Sequence, residues 1–245
     1  MVNILHRVTA SPALDEEAMD EFRHQWHVYR KLVDRDYLSH RAVCAMLHQV
    51  IVAEVKRPFR FLDLACGDAS MTVAALRDTS VSHYHGIDLS APALASARKT
   101  TEALSCPVEL EQSDFVSALR ERPESTDVAW IGLSLHHLQT PDKQTLMRAI
   151  RSAVGKNGFF MIYEPFRREG ESQPAYLDRF EQTNHCSWSA LAPDEWASIM
   201  KHVRAADFPE PSSVWTQLGR DAGFVQVREL FTDPTGFFKV FCFRP

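Results

Sequence analysis

Three aspartates in this chain are spaced as parts of one device. Asp63, Asp88 and Asp114 each close or follow a short apolar run, and they lie 25 and 26 residues apart. After Asp63 comes a turn built mostly of small residues, Leu64-Ala65-Cys66-Gly67-Asp68-Ala69-Ser70. Such a turn at the carboxyl end of a strand aims backbone N–H groups at a ligand, and small side chains let that ligand approach the main chain. An acid about 20 residues beyond a glycine turn is the usual acceptor for ribose hydroxyls. The chemistry implied is the gripping of a nucleoside at one lip of a crevice. Further along, His136 and His137 follow a fourth apolar run and Glu164 closes a fifth. Imidazole titrates near neutrality and suits proton transfer.

The elements that must position these groups follow from periodicity. Arg60–Asp63, Tyr84–Leu89 and the run Val108–Phe115 read as strand segments, and the intervals between the acids leave room for one crossover helix each. Asp127–Leu133 is continuously apolar, as a central parallel strand covered on both faces must be. Helices are predicted at Val116–Arg122 and Pro141–Val154. Gly155-Lys156-Asn157-Gly158 is read as a turn into a fifth strand, Phe159–Tyr163. Residues 167–210 lack strand alternation and read as two helices inserted after that strand, the second starting at Pro193-Asp194-Glu195. A helix from Val214 to Ala222 precedes two strands, Val225–Phe231 and Phe237–Phe243. Their five-residue connection is too short for a crossover, so they form a hairpin. Upstream, residues 1 to about 14 read as a tail or initial strand. A helix from Asp15 carries Met19, Phe22, Trp26 and Tyr29, and a second runs from Ser39 to Val55.

The 245 residues are 45% hydrophobic, enough for one large domain with a cap. The net charge of −5 disfavours a general nucleic-acid binder, which needs a basic face. Five scattered cysteines without a Cys-x-x-Cys pair read as reduced thiols in a cytoplasmic protein. No apolar run approaches the roughly 18 residues of a membrane span, and no signal peptide is recognised.

The segment Asp63-Leu64-Ala65-Cys66-Gly67-Asp68-Ala69 resembles the Asp/Glu-x-Gly-x-Gly-x-Gly turn of the class I S-adenosylmethionine-dependent methyltransferases, with alanine in place of the outer two glycines. Alanine fits such a turn if its φ is negative. The resemblance implies an α/β fold: a seven-stranded, mostly parallel, doubly wound sheet of Rossmann-like type ending in an antiparallel hairpin. It divides the chain into an N-terminal helical lid, 1–57, and a core, 58–245, whose insertion 167–210 roofs the substrate pocket. The implied cofactor is S-adenosylmethionine. Asp63, Ala65 and Gly67 would line its site, Asp88 would hold the ribose hydroxyls, and Asp114 would accept from the adenine amino group. Phe115 would offer a backbone N–H there, Leu89 would pack on the adenine face, and Leu133 would complete the site. Tyr29, Tyr37 and Arg41 would be within reach of the cofactor carboxylate or the substrate. The alternative is that Trp26 and Tyr29 are a helix's core face and Arg41 is solvated.

In-line methyl displacement needs alignment and exclusion of water more than it needs a base. His137, His136 and Glu164 are the candidates for proton handling, beside the alternative that the histidines are structural. The acidic pair with histidine of metal-dependent ubiquinone-type enzymes is not reproduced, so no metal is expected. The Asn/Asp-Pro-Pro-Tyr turn of amino-methylating enzymes is also missing. The acceptor expected is a small molecule, with neither membrane nor nucleic acid as partner and homo-oligomerisation left open. A cofactor-binding scaffold without chemistry, an RNA or protein methyltransferase, and an NAD-dependent oxidoreductase are the alternatives. The closing hairpin opposes the last of these.

Overall fold

The computed structural model describes residues 27–119 and 126–245. The tail, the start of the first helix with Met19, Phe22 and Trp26, and the stretch of the Val116–Arg122 helix beyond Leu119 lie outside these residues. Helical residues 27–34 (α1) are followed by α2 (His40–Glu54), β1 (Phe59–Leu64), α3 (Ser70–Ala75), β2 (Val81–Asp88), α4 (Ala91–Thr100), β3 (Val108–Gln112) and α5 (Phe115–Leu119). Next come β4 (Thr126–Gly132), α6 (Thr140–Ala153), β5 (Val154–Arg167), α7 (Gln173–Ser187) and α8 (Pro193–Ala206). A two-residue strand β6 (Glu210–Pro211), α9 (Ser212–Asp221), β7 (Gln226–Thr232) and β8 (Phe238–Arg244) complete the order.

The sheet runs β3-β2-β1-β4-β5-β8-β7. Strands β1 to β5 are parallel, and the β7–β8 hairpin adds two antiparallel strands beside β5. The short β6 pairs with the end of β5 as an eighth strand. From β1 the chain winds outward to β3, then returns to β4 on the other side of β1. This reversal opens a crevice above the carboxyl ends of β1 and β4, where open α/β sheets bind ligands.

The two faces of the sheet follow strand alternation. Phe59 and Phe61 of β1, Val128 and Trp130 of β4, and Phe159, Met161 and Tyr163 of β5 pack with α2, α3, α7 and α8. Leu62, Leu64, Ala129, Ile131, Phe160 and Ile162 face the opposite core, with α5, α6 and α9. Asp63 shares the parity of Phe59 and Phe61, so it points toward the face that carries the lid helices.

One expectation needs correction. Gly155–Gly158 is not a turn outside the strand, because β5 starts at Val154 and incorporates it. Thr126 pairs with Val154 and Val128 with Phe159, an irregularity that absorbs the extra residues. Gly158 sits where an added Cβ would lie 2.4 Å from the Asp127 carbonyl oxygen. Close backbone packing, not helix termination, is what requires glycine there.

The helices before β1 are tied to those inserted after β5. Lys31 Nζ on α1 donates to both carboxylate oxygens of Glu195 on α8, at 2.6 and 2.8 Å. Glu195 also accepts from the Ala192 N–H, closing the first turn of α8. Tyr37 stacks on Trp188 with centroids 6.0 Å apart, and its hydroxyl accepts from the Ala190 N–H. Below, Tyr163 on β5 donates to the Leu38 carbonyl.

Candidate active site

The turn after β1 keeps the backbone of a triple-glycine loop with only one glycine. Ala65, Gly67 and Ala69 have φ of 54°, 57° and 58°. The expectation of negative φ for the two alanines is therefore wrong: the turn demands left-handed residues, and alanine adopts the shape at a steric cost. An added Cβ at Gly67 would meet nothing within 4 Å, so this position faces open space.

Asp63 is 2% exposed. It accepts from the hydroxyls of Thr72 and Tyr84, both at 2.5 Å. Burial pushes its carboxyl up to about 7 against those two donors, with the charges of Asp88 and Asp68 adding to the rise. Asp88 accepts from the Gly67 N–H at 2.9 Å through one oxygen and from the Ser90 N–H at 2.8 Å through the other. Each oxygen keeps a lone pair for a ligand. Asp114, exposed, accepts from the Ser117 N–H at the start of α5.

Over this turn lies a cavity of about 910 Å³, bounded by the Asp63–Thr72 segment, α1, α2 and Leu133. Of the residues expected at the cofactor, Tyr29, Arg41, Asp63, Ala65, Gly67 and Leu133 line it. Asp88, Leu89 and Asp114 do not. They form a shelf beside it at the ends of β2 and β3, where the Ser113 N–H donates to the Asp88 carbonyl. The side chain of Phe115 is buried in the core behind α5. Tyr37 is a correction: its ring and hydroxyl are committed to Trp188 and Ala190, so it ties the lid to the cap rather than facing the cavity. Tyr29 Oη lies 3.2 Å from His40 Nε2, and burial lowers the His40 imidazole to about 4.

A second cavity, about 130 Å³, lies under α7 and α8. Its wall is mostly apolar, with Leu32, Leu38, Tyr176, Phe180, Trp188 and Phe238, and its polar end holds His136, His202 and Asp207. Tyr29 and Leu133 border both cavities. Leu133 has φ 53°, costly for a bulky residue, and it sits at the end of β4 where the two spaces meet.

Glu164, at the end of β5, is fully buried. It accepts from the backbone N–H groups of Ser134, Leu135 and His136 at 3.0, 2.9 and 3.2 Å, and lies 2.6 Å from His136 Nδ1. With three amide donors already aimed at the carboxylate, Nδ1 carries the imidazole proton and Nε2 keeps its lone pair. Burial pushes Glu164 up to about 7 against those donors and holds His136 well below the usual imidazole range. The Phe208 N–H donates to the His136 carbonyl at 2.6 Å. Lys143, fully buried on α6, pairs with Glu210 at 3.0 Å and donates to the Phe208 carbonyl. These bonds pin residues 207–210 against the turn after β4. They set Asp207 Oδ1 3.7 Å from His136 Nε2 and 3.4 Å from His137 Nδ1. Burial alone would raise Asp207, but His136 and His137 outweigh it and hold its carboxyl at about 2.

All three expected proton-handling residues thus converge, and two partners join them that the sequence did not single out, Asp207 and His202. Neither carries a local signal. Asp207 follows α8 as one more acid among 32, and His202 is one of 11 histidines.

Among the described residues no helix is long and apolar enough to cross a membrane, and all five cysteines are free. Residues 61–158 match the methyltransferase domain family. No curated protein matches the sequence. Among solved structures, an O-methyltransferase family protein from Burkholderia thailandensis is 18% identical with a TM-score of 0.63, covering 83% of this chain and 55% of that one. The S-adenosylmethionine-dependent methyltransferase SibL, in its apo form, is 21% identical with a TM-score of 0.61, covering 89% and 57%. A protein from Bordetella parapertussis described as a possible exported protein is 15% identical with a TM-score of 0.62, covering 83% and 67%. The chain thus spans about 55 to 67% of the length of these proteins. The fold is shared by 1184 chains of known structure, so it names no acceptor. Family match and strand order agree: residues 61–158 match the methyltransferase domain family, and the sheet that contains them has the fold of the S-adenosylmethionine-dependent methyltransferases.

Proposed function

We propose that the protein transfers the methyl group of S-adenosylmethionine to a small molecule with a compact apolar body and one nucleophilic oxygen or nitrogen. The observation that carries this reading is the junction of the two cavities at Leu133 and Tyr29. A large cavity bordered by the β1 turn suits the methionine half of the cofactor, with adenosine on the shelf of Asp88, Leu89 and Asp114. The smaller apolar cavity suits an acceptor about the size of a single ring, its nucleophile directed to the polar end.

The sulfonium supplies a methyl group with a good leaving group already attached. The chain's own residues bind, orient and exclude water. Asp88 accepts from the ribose hydroxyls. Leu133 separates the two cavities at the point where methyl and nucleophile must meet. His136, its Nδ1–H held by Glu164, directs Nε2 at the polar end and accepts the acceptor's proton there, and His137 stands beside it. The helices of residues 27–54 and the insertion 167–210 close over both sites through Lys31–Glu195 and Tyr37–Trp188. A scaffold without chemistry draws no support from the alanine substitutions, since Ala65 and Ala69 border the large cavity without filling it.

Calorimetric titration with S-adenosylmethionine and its demethylated product tests the first half. Micromolar binding of both is expected, and failure of both to bind would overturn the reading. Transfer of labelled methyl to a panel of phenols, amines and carbon acids tests the second. Labelling of RNA or protein in preference to every small molecule would refute the acceptor class.

A further inference from the structure

The polar end of the smaller cavity gathers three imidazoles around one buried carboxylate oxygen, the donor set of a metal site. Asp207 Oδ1 is buried, and no hydrogen bond of ordinary geometry reaches it. Three imidazole nitrogens surround it: His137 Nδ1 at 3.4 Å, His136 Nε2 at 3.7 Å and His202 Nε2 at 3.8 Å. His137 Nδ1 also donates to the Ala206 carbonyl at 3.2 Å, a contact and a proton that ligation of a metal would replace. These separations are long for N–H···O bonds, whose usual range ends near ~3.2 Å. They approach the distance between neighbouring ligands of a tetrahedral ion with bonds of about 2.0–2.1 Å, which is roughly 3.3–3.4 Å. Donor atoms of His136, His137 and Asp207 all lie within 4.8 Å of one another.

Second-sphere support is also in place. His136 gives its other ring nitrogen to the buried carboxylate of Glu164 at 2.6 Å, the carboxylate–histidine arrangement that fixes tautomer and ring orientation in metal centres. The 207–210 segment is locked by Lys143 and the Phe208–His136 backbone bond, so Asp207 is not free to swing away. Imidazole with one carboxylate selects zinc, iron, cobalt or nickel over magnesium or calcium.

We propose that His136, His137 and Asp207 bind a divalent transition-metal cation of the zinc type, with His202 at its edge and the remaining coordination position facing the apolar cavity. This departs from the expectation of no metal, which rested on one acidic motif alone. The site rests on its own geometry. The ion's role rests on the methyl-transfer reading: it would bind the acceptor's oxygen or nitrogen and lower the pKa of a bound hydroxyl, whose proton passes to bulk water. Occupied, it takes the His136 lone pair, and acceptor activation passes from imidazole to metal.

The test is titration of chelator-treated full-length protein with Zn²⁺ by calorimetry and with Co²⁺ by visible absorption. One ion per chain and the intense d–d bands of a four-coordinate Co²⁺ site are expected. Asp207→Ala should weaken binding about a hundredfold. His85→Ala, in the other described cluster of potential ligands, His85-Glu109-Glu111, should leave it unchanged. Asp207→Asn, which preserves volume, replaces Asp207→Ala if the latter fails to fold by circular dichroism. No saturable one-to-one binding, or equal binding by wild type and the Asp207 variant, overturns the proposal. Binding of the demethylated cofactor in the same metal-free samples is read separately. Its loss would sink the methyl-transfer reading and leave the metal site standing.

Discussion

The two cavities are made in different ways. The large one, walled by α1 and α2, has a floor built from a single stretch of chain and its backbone: three left-handed residues within five positions, with the Gly67 N–H satisfied by an aspartate from the next strand. The polar end of the small one is built from side chains drawn from four places: the turn after β4, the end of β5, α8 and the loop beyond it. Binding of a common cofactor needs a fixed backbone shape, and local sequence can specify that. Handling of one particular acceptor needs side chains at exact separations, which only the tertiary fold can assemble. Disrupting the first cavity should cost affinity for the cofactor, whereas disrupting the second should cost turnover alone.

The sharpest break of that contrast is Asp88→Ala. Two ribose hydroxyls lose an ionised acceptor, each bond worth about 1.5–3 kcal/mol. Cofactor affinity should fall about a thousandfold. The Gly67 and Ser90 N–H groups lose their acceptor as well, so Asp88→Asn, which keeps one carbonyl oxygen, should recover part of the loss in the same calorimetric assay. A loss under tenfold would remove Asp88 from the cofactor site.

On the other side, Glu164→Gln should leave cofactor affinity within about twofold and cut kcat by ~100-fold, the lower end of a general base's contribution. Glutamine's single oxygen can keep the Ser134 and Leu135 N–H donors, but its NH2 then faces the His136 N–H, which loses its acceptor, and donates to His136 Nδ1. That fixes the opposite tautomer and places a proton on Nε2, which then neither accepts from a substrate nor ligates a metal. Single-turnover and steady-state rates with saturating cofactor check this. An unchanged kcat would reduce the Glu164–His136 pair to a structural contact.

Asp63 allows a pH test confined to the large cavity. Its carboxyl stands at about 7 in the folded protein, raised by burial. The cofactor brings a sulfonium and an ammonium, both of which favour the ionised form. Above about pH 7 the carboxylate is already present. Below it, binding must first release the proton, so affinity should fall up to tenfold per pH unit as pH drops from 7 toward 5. Asp63→Asn should flatten that slope. In the free protein the sign is opposite for stability: between the ordinary carboxylate range and about 7 the native state holds the extra proton, so stability declines as pH rises through that window.

The same contrast explains what was legible in the sequence. The apolar runs of β1, β4 and β5 and the close 25- and 26-residue intervals between acids gave strand positions, because each depends on neighbours along the chain. The hairpin was legible from a connection too short for a crossover. Gly155–Gly158 misled because glycine serves both turns and close backbone packing, and only the carbonyl of Asp127 distinguishes the two. Tyr37 misled because its partner, Trp188, lies about 150 residues away. Asp207 was invisible for the same reason: its position depends on Lys143, Phe208 and Glu210 acting across α6 and β6.

The smallest expected effect concerns the two alanines of the turn. Both hold a left-handed backbone, which costs an L-residue about 1 kcal/mol, and glycine would relieve it. Glycine also gains about 0.4–1 kcal/mol of unfolded-state entropy, offsetting most of that relief. The remainder depends on what each methyl touches. Ala65 is half-buried on the cavity edge, so Ala65→Gly should be neutral to stabilising by about 0.5 kcal/mol, a Tm rise of ~1–2 °C. Ala69 is 2% exposed within the lid-side core, and removing its methyl forfeits about 0.8 kcal/mol of burial. Ala69→Gly should therefore lower Tm by a similar amount, although both positions hold glycine in the family turn. Paired thermal melts decide it. If both variants gain equally, strain alone governs the turn. If Ala65→Gly loses as much as Ala69→Gly, the methyl of Ala65 is packed rather than facing the cavity.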